Sequence, residues 1–106
     1  MSDYYILKNG EPVKCANVIA WGRWFEGADD ERRIAATEIG DVRVSTIFLG
    51  LDHGYGGTVQ LYETMIFGGD HDGYQERYAT RAEAEAGHAA AVVLVKQAGW
   101  PGAPDA

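Results

Sequence analysis

The sequence predicts an α+β domain: an antiparallel sheet with an N-terminal hairpin, covered by two helices. Three observations carry this. Short runs of strand-forming residues flank the two-residue turn signals Asn9-Gly10 and Gly40-Asp41. Helical apolar spacing occurs in two separate stretches, after Asn17 and after Thr80. The elements run hairpin, helix, antiparallel strands, helix, without the strict alternation that builds a parallel sheet. A chain of 106 residues suits one domain, expected over residues 1–100 with a flexible tail at 101–106.

Each element follows from its residues. Tyr4-Tyr5-Ile6-Leu7 and Val13-Lys14-Cys15 form the first hairpin, since Asn-Gly tolerates the positive φ values of a type I′ turn. Pro12 lacks an amide proton and confines the returning strand to an edge. Asn17 caps a helix whose Val18, Trp21 and Phe25 follow helical spacing, flanked by Trp24. That face is expected against a sheet, with an exposed aromatic binding patch as the alternative. Gly27 is the helix stop and Ala28 to Glu31 an acidic loop. Arg33–Ile39 and Val42–Leu49 flank Gly40-Asp41, a Gly-X pattern of type II′, which sets Glu38 opposite Arg43 and Ile39 opposite Val42. A cross-strand ion pair between Glu38 and Arg43 is expected from that register. A third strand, Val59–Phe67, is apolar on both faces and belongs inside a covered sheet or at an interface. Gln75–Ala79 gives a short fourth strand, and the capping box Thr80-Arg81-Ala82-Glu83 starts a last helix that runs to Gln97, before Gly99 and Pro101.

Composition narrows the function classes. The net charge is -7, and residues 26–76 carry eleven acids against three bases. Such a surface repels nucleic acid and anionic lipid, so neither direct nucleic-acid binding nor membrane association is expected. It steers association with basic protein surfaces. The bland alternative is that the acids serve solubility alone. No apolar run is long enough to span a bilayer, no secretory signal is visible, and the single cysteine, Cys15, fits a reducing cytoplasm.

Catalytic and metal patterns are sparse. Asp52-His53 and Asp70-His71-Asp72 each sit beside glycine and a tyrosine, Tyr55 or Tyr74. A zinc or manganese site could be written from Asp52, His53, Asp70 and His71, but a strand of about nine residues, roughly 30 Å, would separate the two loops. Satisfied turn residues are the alternative. No cofactor is expected. The glycines fit neither a phosphate-binding loop nor a dinucleotide fingerprint, Ser2 and Ser45 lack a nucleophile setting, and Cys15 has no adjacent histidine. His88 lies on the apolar face of the last helix, where a hydrogen-bonded core role outweighs that of a base. The sequence therefore leans away from an enzyme. Asp29, Asp30, Glu31, Asp52, Tyr55, Asp70, Asp72 and Tyr74 are the candidate partner-binding residues. The two tyrosines could equally anchor a partner or fold back over the sheet edge.

Val44-Ser45-Thr46-Ile47-Phe48-Leu49-Gly50-Leu51-Asp52-His53, with Glu63-Thr64-Met65-Ile66-Phe67-Gly68-Gly69, resembles a family of small bacteriophage- and prophage-encoded proteins. Glu76-Arg77-Tyr78 with Thr80, and Glu85-Ala86-Gly87-His88, look like the same family's closing segment. The resemblance implies a protein of the host cytoplasm acting as an inhibitor. Its concrete form is an anti-CRISPR or other anti-defence factor occupying the basic surface of a host defence protein. The resemblance supplies no catalytic residue. The alternatives are a small metal-dependent enzyme using an Asp-His loop and a phage structural or replication accessory protein. Self-association as a homodimer, through the third strand or the Trp21–Trp24 face, is a further expectation.

Overall fold

Asn9 and Gly10 carry positive φ values of 52° and 80°, as a type I′ turn requires at both central positions. They fold Asp3–Lys8 (β1) back on Glu11–Lys14 (β2) in the expected hairpin. In the computed structural model, which describes residues 3–52 and 58–97, the next element is Val18–Gly27 (α1). The Asn17 side chain caps it, accepting from the Ile19 and Ala20 amides at 2.9 and 3.1 Å.

α1 sits differently from the expected sheet-covering helix. None of its residues is buried, and Val18 and Ile19 are largely exposed. Trp21 and Trp24 do the docking. The Trp21 indole Nε1–H is shared between the Tyr5 and Gly50 carbonyls, at 3.0 and 2.9 Å, while Trp24 meets the Phe48 ring edge-on. The helix thus ties the hairpin to the bend at Gly50 rather than covering the main sheet.

The acidic loop expected at Ala28 to Glu31 is instead a single helical turn, Asp29–Arg32 (α2). Its three acids occupy the first turn, where unpaired backbone N–H groups favour negative charge. Arg32 holds the turn in place, donating from Nε to the Phe48 carbonyl at 3.1 Å with its guanidinium 3.8 Å above the Phe25 ring.

Arg33–Ile39 (β3) and Val42–Phe48 (β4) pair in the expected register, with Glu38 opposite Arg43 and Ile39 opposite Val42. Gly40 has the positive φ, 59°, of a type II′ turn. The Glu38 carboxylate and Arg43 guanidinium do not close into an ion pair among the described residues. A register shift between Arg33 and Ala35 leaves Ile34 as an extra, bulged residue.

Past β4 the chain bends at Gly50, φ 74°, and Leu51–Asp52 (β5) leaves to pair with β1. That departure explains why the third long strand, Tyr62–Phe67 (β6), is shorter than the expected Val59–Phe67. Residues 59 and 60 have no β4 partner to meet once the chain has turned away. Gln75–Tyr78 (β7) completes a four-stranded antiparallel sheet, β3-β4-β6-β7, beside a three-stranded one, β2-β1-β5. Both are antiparallel throughout, so the fold is α+β as predicted.

Arg81–Gln97 (α3) begins with the predicted capping box: Thr80 Oγ1 accepts from the Glu83 amide and Glu83 Oε1 from the Thr80 amide, each at 3.1 Å. α3 lies across all four strands of the larger sheet. Two apolar clusters form beneath it. Leu7, Phe48, Leu61, Tyr62 and Ala84 make one; Ile39, Val44, Ile66, Ala91 and Val95 make the other. No helix among those described is long and apolar enough to cross a membrane.

Candidate interaction surface

The strand directions sort the acidic residues into two groups. α2 lies at the start of β3, near the hairpin, and Asp52 closes β5 in register with Asp3. The Gly40-Asp41 turn and the loop from Gly68 to Tyr74 lie at the far end. There the Asp41 carbonyl and the Val42 side chain stand where Cβ atoms on Gly68 and Gly69 would fall, at 2.8 and 2.7 Å. Gly68 and Gly69, with φ of 89° and 71°, are the residues that allow this close approach. The groups are separated by the length of β4, seven residues or roughly 23 Å.

The hairpin end is partly neutralised. Asp29 lies 4.0 Å from Arg32 and Asp30 lies 3.4 Å from Arg33, both pairs within one helical turn. The far end is not. Asp41, Asp70 and Asp72 are exposed, and none of them enters an ion pair among the described residues. Asp72 also shapes its loop, with Oδ1 accepting the Gly68 amide at 2.7 Å. Asp41 is not among the sequence-derived candidates, because only the packing of turn against loop adds it to Asp70 and Asp72.

Tyr74 is half-buried and packs against the Ile39–Val95 cluster. Burial raises its phenol pKa, with smaller contributions from Tyr78 and Glu76. Tyr74→Ala is expected to cost about 1.5 kcal/mol, read as a drop of roughly 6–12 °C in melting temperature. An unchanged melting temperature would mean the ring contributes nothing to that cluster. Tyr55 and His53 lie outside the described residues.

The metal alternative finds no assembled set. Among the described residues, no three His, Cys, Asp or Glu side chains are arranged to hold an ion. Asp52 and the Asp70-His71 pair stand at opposite ends of the sheet. His71 is half-buried, and its Nε2 has no hydrogen-bond partner among the described residues.

His88 occupies the middle of the core. It is 7% exposed, with Nδ1 2.8 Å from Thr46 Oγ1 and Nε2 2.8 Å from Thr37 Oγ1. Thr46 Oγ1 is also 2.5 Å from Thr64 Oγ1. Two strands, β3 and β4, thus satisfy both ring nitrogens, Thr64 of β6 extends the network through Thr46, and burial lowers the His88 pKa. Both ring nitrogens are engaged in holding α3 to the sheet.

The sheet face opposite α3 is the second notable surface. β6 is interior, as its two apolar faces suggested, but only Tyr62, Thr64 and Ile66 lie under α3. On the other face Glu63 is buried and accepts from Arg77 Nε at 2.9 Å and from the Gln75 side-chain amide. Phe67 on that face remains 47% exposed. Comparison of the chain with family models, with curated proteins and with solved structures finds no match.

Proposed function

We propose that the chain is a non-enzymatic binding protein whose acidic surface engages a basic protein. Its most concrete form is an inhibitor, encoded by a phage or prophage, that occupies the nucleic-acid-binding surface of a host defence protein. One observation carries this reading: among the described residues the ion-paired bases lie toward the hairpin end, while at the far end the exposed acids Glu38, Asp41, Asp70 and Asp72 outnumber the exposed Arg43. Among the described residues five of the nine lysines and arginines are held in ion pairs, Lys14–Asp3, Arg32–Asp29, Arg33–Asp30, Arg77–Glu63 and Arg81–Glu85. The far end therefore keeps an excess of negative charge after Arg43 is counted, and a basic groove would feel it over a Debye length of about 8 Å at physiological salt.

The test is capture of partners from host lysate on the immobilised full chain, with the bound proteins identified by mass spectrometry. Asp41→Asn, Asp70→Asn and Asp72→Asn together remove three charges, and the last of them keeps a side-chain oxygen for the Gly68 amide. A parallel variant carries Asp29→Asn, Asp30→Asn and Glu31→Gln. The expected result is a basic partner retained at low salt, released by roughly 0.5 M salt, and lost on neutralising the far end. Capture indifferent to salt and to both variants would overturn the proposal.

A further inference from the structure

The free edge of β3 is complementary to itself. In a two-residue hairpin the residues flanking the turn exchange backbone hydrogen bonds, so Ile39, Thr37 and Ala35 bond inward to β4. The next ladder has the matching phase, since the Leu49 amide bonds the Leu61 carbonyl at 2.7 Å and odd-numbered β4 residues therefore face β6. It follows that the backbone groups of Glu38 and Ala36 point away from the sheet. Among the described residues nothing pairs with them.

The bulge at Ile34 decides which side chains share a face. Arg33 lies opposite Ile47 and Glu38 opposite Arg43, on the side away from α3, while Thr37, bonded to His88, lies beneath it. Without the extra residue, Arg33 and Glu38 would stand on opposite faces, because strand side chains alternate. With it, a base and an acid bracket Ala36 on one face, each one ladder step from it. The edge between them, Ala35-Ala36-Thr37, bears only small side chains.

We infer that two copies of this chain pair edge to edge through β3, about a two-fold axis at Ala36. The two Ala36 residues then exchange N–H···O=C bonds, and each Glu38 amide reaches the Arg33 carbonyl of the other copy. The Arg33 amide is not needed, being bonded already to the Asp29 carbonyl. Each Glu38 side chain meets the other copy's Arg33 directly across the ladder, giving two cross-strand ion pairs. Thr37 faces the other copy's Ala35 on the α3 side. The product is one eight-stranded antiparallel sheet with both α3 helices on the same face. The interface uses none of Asp41, Asp70 and Asp72; its ion pairs form at the β3 edge of the face that also carries Phe67, and Arg33 exchanges Asp30, 3.4 Å away in its own chain, for the other copy's Glu38.

The experiment is sedimentation of the full chain from micromolar to high micromolar concentration at about 0.15 M salt, where net repulsion between copies is screened. Wild type should show a reversible monomer–dimer equilibrium. Glu38→Arg alone sets guanidinium against guanidinium across the ladder, and Arg33→Glu alone sets carboxylate against carboxylate. Each should weaken self-association by about tenfold or more. Mixing the two single variants should restore a 1:1 heterodimer, and the double variant R33E/E38R should dimerise with itself. Ala36→Pro removes the central amide at an edge position that tolerates proline, and should leave a folded monomer by circular dichroism. A wild-type chain that stays monomeric across this range would overturn the inference. So would a dimer that persists through E38R, R33E and A36P, which would move the interface to the Phe67 face.

Discussion

Replacing Gly87 by alanine is expected to lower the melting temperature by roughly 10–20 °C, the equivalent of about 2–3 kcal/mol. A Cβ at this position would overlap the Tyr78 Oη and Cζ outright. The ring cannot simply swing outward. It packs against the Leu7–Phe48–Tyr62 cluster, and its hydroxyl is buried without a partner among the described residues. Either α3 lifts from β7 or the tyrosine leaves its place, and both empty the first cluster. Tyr78→Ala in the same chain removes the obstruction, so the double variant should be less destabilised than the sum of the two single ones. Thermal melts of the four proteins measure the coupling. Additive losses would show that Gly87 is not where Tyr78 and α3 meet.

The second large effect concerns His88. Thr46→Val keeps the shape of the side chain but leaves the His88 Nδ1 and the Thr64 hydroxyl short of a partner. A cost of about 2 kcal/mol in urea unfolding is expected. The same network sets a pH dependence. Burial holds the His88 pKa below the ordinary value of 6.5, so on acidification the unfolded chain takes up this proton first. Stability from this residue is present in full above pH of about 6.5 and is lost as pH falls from there toward the lowered folded value. The slope is at most ~1.4 kcal/mol per pH unit. Unfolding free energies at pH 7.5 and 5.5 should differ more for wild type than for His88→Gln, a subtraction that removes the carboxylates and the other histidines. Equal differences would place no titration at His88.

These two positions mark where sequence and structure part. The hairpins, the Asn17 cap, the Thr80–Glu83 box and the register of β3 on β4 rest on contacts within a few residues, and local chemistry specifies them. His88 is legible as a core histidine from helical spacing, though not Thr37 and Thr46 that bond its ring or Thr64 behind Thr46, because the three come from three different strands. Gly87 resembles any glycine that weakens a helix. Its role depends on Tyr78, whose position is set by the sheet.

The two tryptophans suggest a helix laid on the sheet. The bend at Gly50 instead carries β5 to the hairpin, and Trp21 follows it. The bulge at Ile34 leaves no mark in a run of strand formers, yet it sets which face Arg33 occupies.

The candidate surface is legible as charge and not as arrangement. Asp70 and Asp72 stand out in their loop, and Asp29, Asp30 and Glu31 in their run. Only the sheet order separates these groups and adds Asp41 to the first. The i,i+3 spacing of Asp29 with Arg32 and of Asp30 with Arg33 becomes a pairing signal only once the run is a helical turn and not a loop.

The central claim is that an unneutralised acidic end steers a basic partner. The measurement that tests it most directly is the association rate of the captured partner with the full chain, followed across ionic strength. The claim predicts a rate that falls about tenfold or more between 0.05 and 0.5 M salt, and a low, nearly flat rate for the D41N/D70N/D72N variant, with dissociation little changed in either. An association rate that is the same at both salt concentrations, and the same for wild type and variant, would contradict it.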